Sequence, residues 1–521
     1  MYELFMFADR RSTPAFWLGC LLVVIGALLH LPIVLMSLQM HYMLAGMPMD
    51  PEMLTGMFLI LAGCVAAAYG LQPKAPSEND LAAMHERIVA PEDAPLTKRH
   101  WLAGGALAAA LVIDIMKPAA LGFVTPGMKV EYMIGPAEVA LLPFWALLGT
   151  VLGSFIWGAV ADRYGRRATI LLSAVMFIGT SICGAMPSFG WNLFMCFLMG
   201  AAAGGMLPVA YALLAEIMPT RHRGWSLVAV GGVGAVGGYL AASGLSALLQ
   251  PEFGWRIMWF LNLPSGLILV LLSPFIPESA RFLMHIGRVD EARATLAQFG
   301  SVVITDTADW DDEVKIDHSH LPPVDKRHLG PTIALTLVGL VWGFVNFGLL
   351  LWLPGELISE GQDMGVAAAI IARSSLIAMP AVVVASWLYA AWSTKRALLV
   401  MIALTGLGLL ALALRGAGVA ALSNPTIPIA LLITGATGVI SVLLPYTAEN
   451  YPLRVRGRAT GWVAACSKTG GLICQTLSVL AAVPGIGIAA LAIAIPTLAG
   501  FVLVAVYGRE TRGRDLRELE G

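Results

Sequence analysis

The chain has 521 residues, of which 58% are hydrophobic and only 12% charged, and its formal net charge is −1. A soluble domain carries about twice that charged fraction, and a near-neutral chain has no bulk electrostatic attraction for nucleic acid. Apolar segments of about 20 residues, each enough to cross ~30 Å of hydrocarbon, recur along the whole length, so the chain reads as an all-α polytopic membrane protein.

Two spans come first, near 15–38 and 53–71. The first is long enough to stay as a span and lacks the pattern of a cleaved signal peptide. Between and around their facing ends lie Met36, Met40, Met43, Met47, Met49, Met53 and Met57, with His30 and His41. Met36, Met40 and Met43 can share one helix face. Thioether and imidazole groups suit Cu(I), whereas methionine also fills irregular membrane packing. This Met-rich hairpin occupies residues 1–71, and a polar linker follows over 72–100.

Six spans near 101–124, 138–160, 168–186, 191–215, 225–249 and 256–276 form a first bundle, residues 101–277. A polar central loop runs over 278–331. Six more spans near 332–355, 366–391, 397–415, 427–448, 459–483 and 486–507 form a second bundle, residues 332–508, before a tail over 509–521. The expected total is about fourteen membrane helices. All six cysteines lie in apolar segments without zinc-ligand spacing and read as buried free thiols.

Lys and Arg set the orientation. DRYGRR, PTRHRG, STKR, LRVRGR and GRETRGRDLR share one side, while PSFGW and ELISEGQDMG opposite carry almost none. The basic side is therefore expected to be cytoplasmic, with both termini on it, in a bacterial inner or plasma membrane.

An internal repeat organises the two bundles. Glu216-Ile-Met-Pro219-Thr-Arg-His-Arg223-Gly224 is matched by Glu449-Asn-Tyr-Pro452-Leu-Arg-Val-Arg456-Gly457. Pro277-Glu278-Ser279-Ala280-Arg281 is matched by Arg509-Glu510-Thr511-Arg512, and the two offsets agree to within one residue. Two six-span halves of the same orientation are parallel repeats, for which a substrate site near the midplane is expected.

GAVADRYGRR, Gly158 to Arg167, resembles the cytoplasmic loop motif of the major facilitator superfamily, matching at Gly158, Asp162, Arg163, Gly165, Arg166 and Arg167. Physically, Gly158 would let two helices approach, Gly165 would permit a tight turn, and Asp162 could sit at the N-terminus of the next helix. The arginines could bind carboxylates such as Glu216. GAAAGGMLPVAYALLAEIMPTRHRG, FGWR at 253–256 and PESARFLMHIGRVDEAR look like the organic-ion, metabolite and synaptic-vesicle-glycoprotein-like branches, and GRETRGRDLRELE is similar to the sugar-porter ending. The resemblance covers about residues 100–515 and implies alternating access by two six-helix halves, usually driven by a proton or substrate gradient. Departures from the pattern are Ala391 or Trp392 where the second loop copy should carry Asp, and Cys196 where the family often carries Arg.

Asp114 and Lys117, in LVIDIMKPAALGF, share one helix face inside an apolar run. A charge at the bilayer centre costs roughly 2.5–3.5 kcal/mol on insertion scales. The pair is read either as self-neutralising and structural or as a cavity site; in the second reading the resemblance makes Asp114 the protonatable group and Lys117 its partner. Lys468 lies at mid-membrane depth in VAACSKTGGLICQTL, where it favours an anionic substrate or pairs with Asp114 as a gate. Arg373 can snorkel to an interface. Asn346, Tyr446 and Gln475, with Trp352, could contact substrate. Glu216 and Glu449 are expected to form an ion-pair network with Arg163, Arg166, Arg223 and Arg456 that closes the inner gate.

The primary expectation is a proton-coupled secondary transporter of a small organic metabolite, an anion by its lysines, with the lipid bilayer as its surroundings. It needs no cofactor and binds no nucleic acid; the hairpin offers a surface for a membrane partner. The alternatives are a copper importer using Met36, Met40, Met43 and His41, and a non-transporting scaffold or receptor. No Ser/His/Asp set, phosphate loop or dense metal cluster points to an enzyme.

Overall fold

The computed structural model describes residues 12–40, 42–73, 87–89, 95–300, 302–304, 328–451 and 453–512. Among them, twelve helices are long and apolar enough to cross a membrane. A shorter apolar helix over Ile257–Leu271 and the 27-residue helix Leu453–Val479 lie where two further spans were expected. The chain divides into two compact units: unit 1 is Met1–Arg221 with Leu245–Ile304, and unit 2 is His222–Gly244 with Thr305–Gly521. The division falls after Ile304 in the central loop and also twice inside one long helix, so that His222–Gly244 belong to unit 2.

Unit 1 opens with the hairpin helices α1 (Ser12–Leu28) and α2 (Pro51–Gly70). Hydrocarbon gives no hydrophobic drive to join two helices, so close van der Waals packing at small residues must do it. Gly19 and Gly26 of α1 face Gly63 and Gly56 of α2, and a Cβ at any of the four would sit 2.5–2.6 Å from backbone or side-chain atoms of the other helix. Next come α3 (Lys98–Glu131), α4 (Leu141–Tyr164), α5 (Arg166–Gly179), α6 (Phe189–Ala203) and α7 (Met206–Ile217). The single span expected over 191–215 is present as Phe189–Ile217, with an irregular step at Gly204 and Gly205, where Trp157 fills the space that a side chain at Gly205 would need. Helix α8 (Thr220–Phe253) passes from unit 2 into unit 1 and ends at Gly254, whose φ of 68° reverses the chain. Helix α9 (Asn262–Leu271) follows.

The central loop, polar in sequence, is not featureless. Ser279 accepts from the Phe282 amide (3.1 Å) and starts a short helix over Ala280–His285. Asp290 and Glu291 favour the N-terminus of another over Val289–Gln298. Arg87–Val89 of the linker pairs antiparallel with Val302–Ile304.

Unit 2 holds α10 (Leu329–Gly343), which passes through a π-helical turn at Phe344–Leu349 into α11 (Leu350–Ser359). Then follow α12 (Met364–Trp387), α13 (Thr394–Gly416), α14 (Thr426–Asn450), α15 (Leu453–Val479) and α16 (Ile486–Tyr507). Helix α14 is mostly buried within the protein, whereas α16 shows Ile488, Ile495 and Leu498 at 66–70% exposure. Large apolar side chains so exposed on long apolar helices are stable against lipid, not water.

Candidate functional site

The mid-span charges of unit 1 lie inside it. Lys117 is 1% exposed and Asp114, one turn earlier on α3, 6%. The Lys117 ammonium donates to Asn262 Oδ1 at 2.8 Å and to Ser265 Oγ at 3.3 Å, both on α9, and sits 4.1 Å from the centre of the Phe177 ring on α5. The Asp114 carboxylate adds a favourable charge interaction. Lys117 thus turns into the interior of unit 1, and the expected pair is part of a cluster completed by Asn262, Ser265 and Phe177. Sequence reasoning missed these three. Asn262, a lone amide in the apolar run FLNLPSG, was the one visible signal, because a polar side chain within a span needs a partner.

Unit 2 has a second buried polar group, built by the π-helical turn. Such a turn breaks the regular pairing of carbonyls with amides, and the freed groups need other donors. Here the Asn346 carbonyl and its Oδ1 both accept from the Tyr239 hydroxyl of α8, at 3.1 and 3.0 Å. Gln475 Nε2 donates to the Phe347 carbonyl, and Cys474 Sγ lies 3.9 Å from that of Phe344. Asn346 and Gln475 are therefore together, at 7% and 1% exposure. Tyr239 had not been singled out. Gln475 Oε1 and Trp352 Nε1 are buried without a hydrogen-bond partner among the described residues. Lys468 is half-buried on α15, two turns before Gln475 and on the same helix face. Arg373 is exposed on α12.

The loop ends carry the repeat into matched contacts. In unit 1 the Glu278 carboxylate accepts from the amides of Arg166 (2.7 Å), Arg167 (3.3 Å) and Ser279 (2.8 Å), which start α5 and the following short helix. Ser279 Oγ donates to Glu216, which also pairs with Arg166 at 3.1 Å. In unit 2 Glu510 accepts from Ser393 Oγ, and from the amide (2.9 Å) and hydroxyl (2.7 Å) of Thr394 at the start of α13. Thr511 Oγ1 donates to Glu449 at 2.7 Å, the counterpart of Ser279 on Glu216. Burial pushes the Glu278 carboxyl above its ordinary value, against the three amides and the Arg167 guanidinium that pull it down. At Glu510 burial acts the same way, but the bonds from Ser393, Thr394 and Arg512 outweigh it and hold the carboxyl below its ordinary value.

Two expectations for the loop motif need correction. Asp162 does not cap α5; it is exposed on the last turn of α4, and Glu278 takes the helix N-terminus. Gly158 makes no close helix approach among the described residues, where a Cβ at this position would meet no atom within 4 Å. Gly165 is needed as expected: its φ is 96°, and a Cβ would lie against the Glu278 carboxylate and 2.8 Å from Phe282. Arg163 is exposed, and Arg223 is partly buried with its carbonyl accepting from Ser226 at 2.9 Å. The Arg456 side chain lies outside the described residues. Tyr446 belongs to this end of unit 2, donating to the Arg509 carbonyl at 2.6 Å, and not to the group around Asn346.

In the hairpin, Met36, Met40 and Met43 are exposed. His41 lies outside the described residues, and His30 is buried with Nδ1 on the Gly26 carbonyl at 2.9 Å. Among the described residues no group of three His, Cys, Asp or Glu side chains could hold a metal ion.

Charged and amide groups buried among apolar helices can hold and release a polar solute or a proton. The sequence profile described as Major Facilitator Superfamily matches residues 105–473. The niacin transporter NiaP of Acinetobacter baylyi is 26% identical over 437 residues, covering 82% of this chain and 98% of that one. The 4-hydroxybenzoate transporter PcaK of Pseudomonas putida is 26% identical over 392 residues, covering 73% and 85%. Among solved structures, the partially occluded, inward-open xylose transporter XylE of E. coli superposes with a TM-score of 0.64 at 16% identity, covering 80% of this chain and all of that one. The fold and the profile, which spans well over half of the residues and leaves out only the hairpin, the linker and the C-terminal end, agree: this chain is a transporter, not an enzyme, and it belongs to the Major Facilitator Superfamily.

Proposed function

We propose that the protein is a proton-coupled secondary carrier of a small aromatic monocarboxylate, working by alternating access in a bacterial inner or plasma membrane with both termini cytoplasmic. The observation that carries the reading is Lys468, a half-buried cation midway along α15. A lysine at that depth is costly unless it faces polar surroundings, and a carboxylate is the solute that would use it. Niacin and 4-hydroxybenzoate, named for the two relatives, are both aromatic acids. The unpartnered Gln475 Oε1 and Trp352 Nε1 supply an acceptor and a donor of the kind that a ring substituent needs. Asp114 is the proton carrier in this reading, and no metal or organic cofactor is required.

The test is uptake by reconstituted protein of nicotinate and 4-hydroxybenzoate, with nicotinamide, phenol and xylose as competitors. At least one acid should be taken up saturably, the neutral compounds should not compete, and Lys468→Gln should lower kcat/KM by about tenfold or more. Equal competition by the neutral analogues would remove the carboxylate from the proposal.

A further inference from the structure

The FGWR motif at 253–256 is absorbed by none of the groups above. Gly254 turns the chain out of α8, so Trp255 and Arg256 meet the last residue of α3, Glu131. Arg256 is 2% exposed and Glu131 9%. The guanidinium grips the carboxylate at two points, Nη2 to Oε1 at 2.6 Å and Nε to Oε2 at 3.2 Å, and Trp255 Nε1 donates to Oε2 at 2.8 Å. Arg256 also donates to the carbonyls of Gly184 (2.9 Å) and Met186 (3.0 Å) and to the Tyr132 hydroxyl (3.0 Å). Asn192 Nδ2 donates to that same hydroxyl at 2.9 Å. One ion pair therefore ties together the ends of α3, α5, α6 and α8.

The hairpin completes it. The backbone amides of Leu44 and Ala45, in the loop between α1 and α2, both donate to Glu131 Oε1, at 2.7 and 3.0 Å. A carboxylate offers about four acceptor positions, and here five N–H groups converge on it. Leu44 is fully buried, and the Gly46 amide donates to the Pro187 carbonyl at 3.0 Å. Farther along, Gly179 of α5 leaves room for Ile60 of α2, whose Cγ2 would lie 2.8 Å from a Cβ at that position.

We propose that Glu131 is a positioning residue: by capturing the hairpin loop it makes the hairpin a brace on unit 1 and fixes the end of α3, the helix that carries Asp114 and Lys117. Glu131 lies roughly 21 Å along α3 from Lys117, with Pro118 and Pro126 between them. A loosened loop would let α3 move against α9, where Lys117 is held. The consequence for transport rests on the carrier reading above, but the seating itself does not.

The experiment uses the full chain. Leu44→Cys reports the seating and Ala120→Cys, buried on α3, reports the helix; each is reacted with a maleimide in purified protein, with the parent as background. Both thiols should be protected with Glu131 present. In Glu131→Ala both should react faster by about tenfold or more, as for a local opening. Glu131→Gln keeps an acceptor oxygen for the two amides and should keep both thiols protected, which separates loss of capture from loss of folding. For the transported acid, Glu131→Ala should lower kcat by about tenfold while KM stays within about twofold, with Glu131→Gln near the parent. Equal labelling of Leu44→Cys in all three proteins would overturn the capture. Faster labelling of Leu44→Cys alone, with Ala120→Cys and kcat unchanged, would overturn the positioning role. Because labelling needs no substrate, an error in the solute would show only in the uptake arm.

Discussion

A lysine survives at the centre of a bundle by what surrounds its ammonium. At Lys117 these are two neutral oxygens, an aromatic face and one carboxylate, all from helices of unit 1. Removing one partner of a buried charge costs more than removing both, because the survivor keeps its desolvation without its bond. Asn262→Leu should therefore destabilise the purified protein by about 1–3 kcal/mol in thermal unfolding, and by less than about 1 kcal/mol in a Lys117→Met background. Equal losses in the two backgrounds would mean that the 2.8 Å bond contributes nothing to stability. Arg373 is the contrast: it is exposed, and its long stem can carry the guanidinium toward a polar layer without any fixed partner.

At the scale of elements, the matched spacings in the two halves became matched contacts. Glu278 and Glu510 each accept from a backbone amide at the start of a helix, α5 and α13, and Ser279 and Thr511 each donate to the glutamate at the end of α7 and α14. The repeat itself was legible, because these are polar residues at a matched offset beside apolar helices; the partners named here were not, since Asp162 was expected at the helix start and arginines on the two glutamates. Gly165 follows from the same reasoning and Gly158 does not. Gly165→Ala must force an alanine to φ near 96° against Glu278, a strain of about 1–3 kcal/mol, and should lower both the unfolding temperature and the uptake rate. Gly158→Ala meets open space and should stay within about 0.5 kcal/mol of the parent. Similar damage at both positions would count against the turn as the reason for the motif. What sequence left hidden has one physical cause. Which way a side chain points around a helix depends on how neighbouring helices pack, and spacing along one helix does not contain that. So Asn262 and Ser265 were not foreseen as partners of Lys117, Tyr239 was passed over until the π-helical turn exposed the Asn346 carbonyl, and nothing in the spacing joined FGWR to Glu131.

For the whole molecule the question is how a downhill ion can drive an uphill solute. A carrier that only exchanges solute needs no titrating group, whereas one that accumulates solute on a proton gradient must return empty in a protonation state that differs from its loaded one. In the carrier proposed above Asp114, 6% exposed, makes that change, and Lys117 beside it would feel it through its charge. Asp114→Asn keeps the shape and polarity of the side chain and removes only the titration. In vesicles with an imposed pH gradient, the variant should lose accumulation above the external concentration. Counterflow, in which internal unlabelled acid exchanges for external labelled acid, should continue at a comparable rate. Loss of both would make Asp114 a folding or binding residue, and accumulation that persists would place the proton elsewhere. Only the split between the two assays assigns coupling, because binding, folding and general conformational defects depress both together.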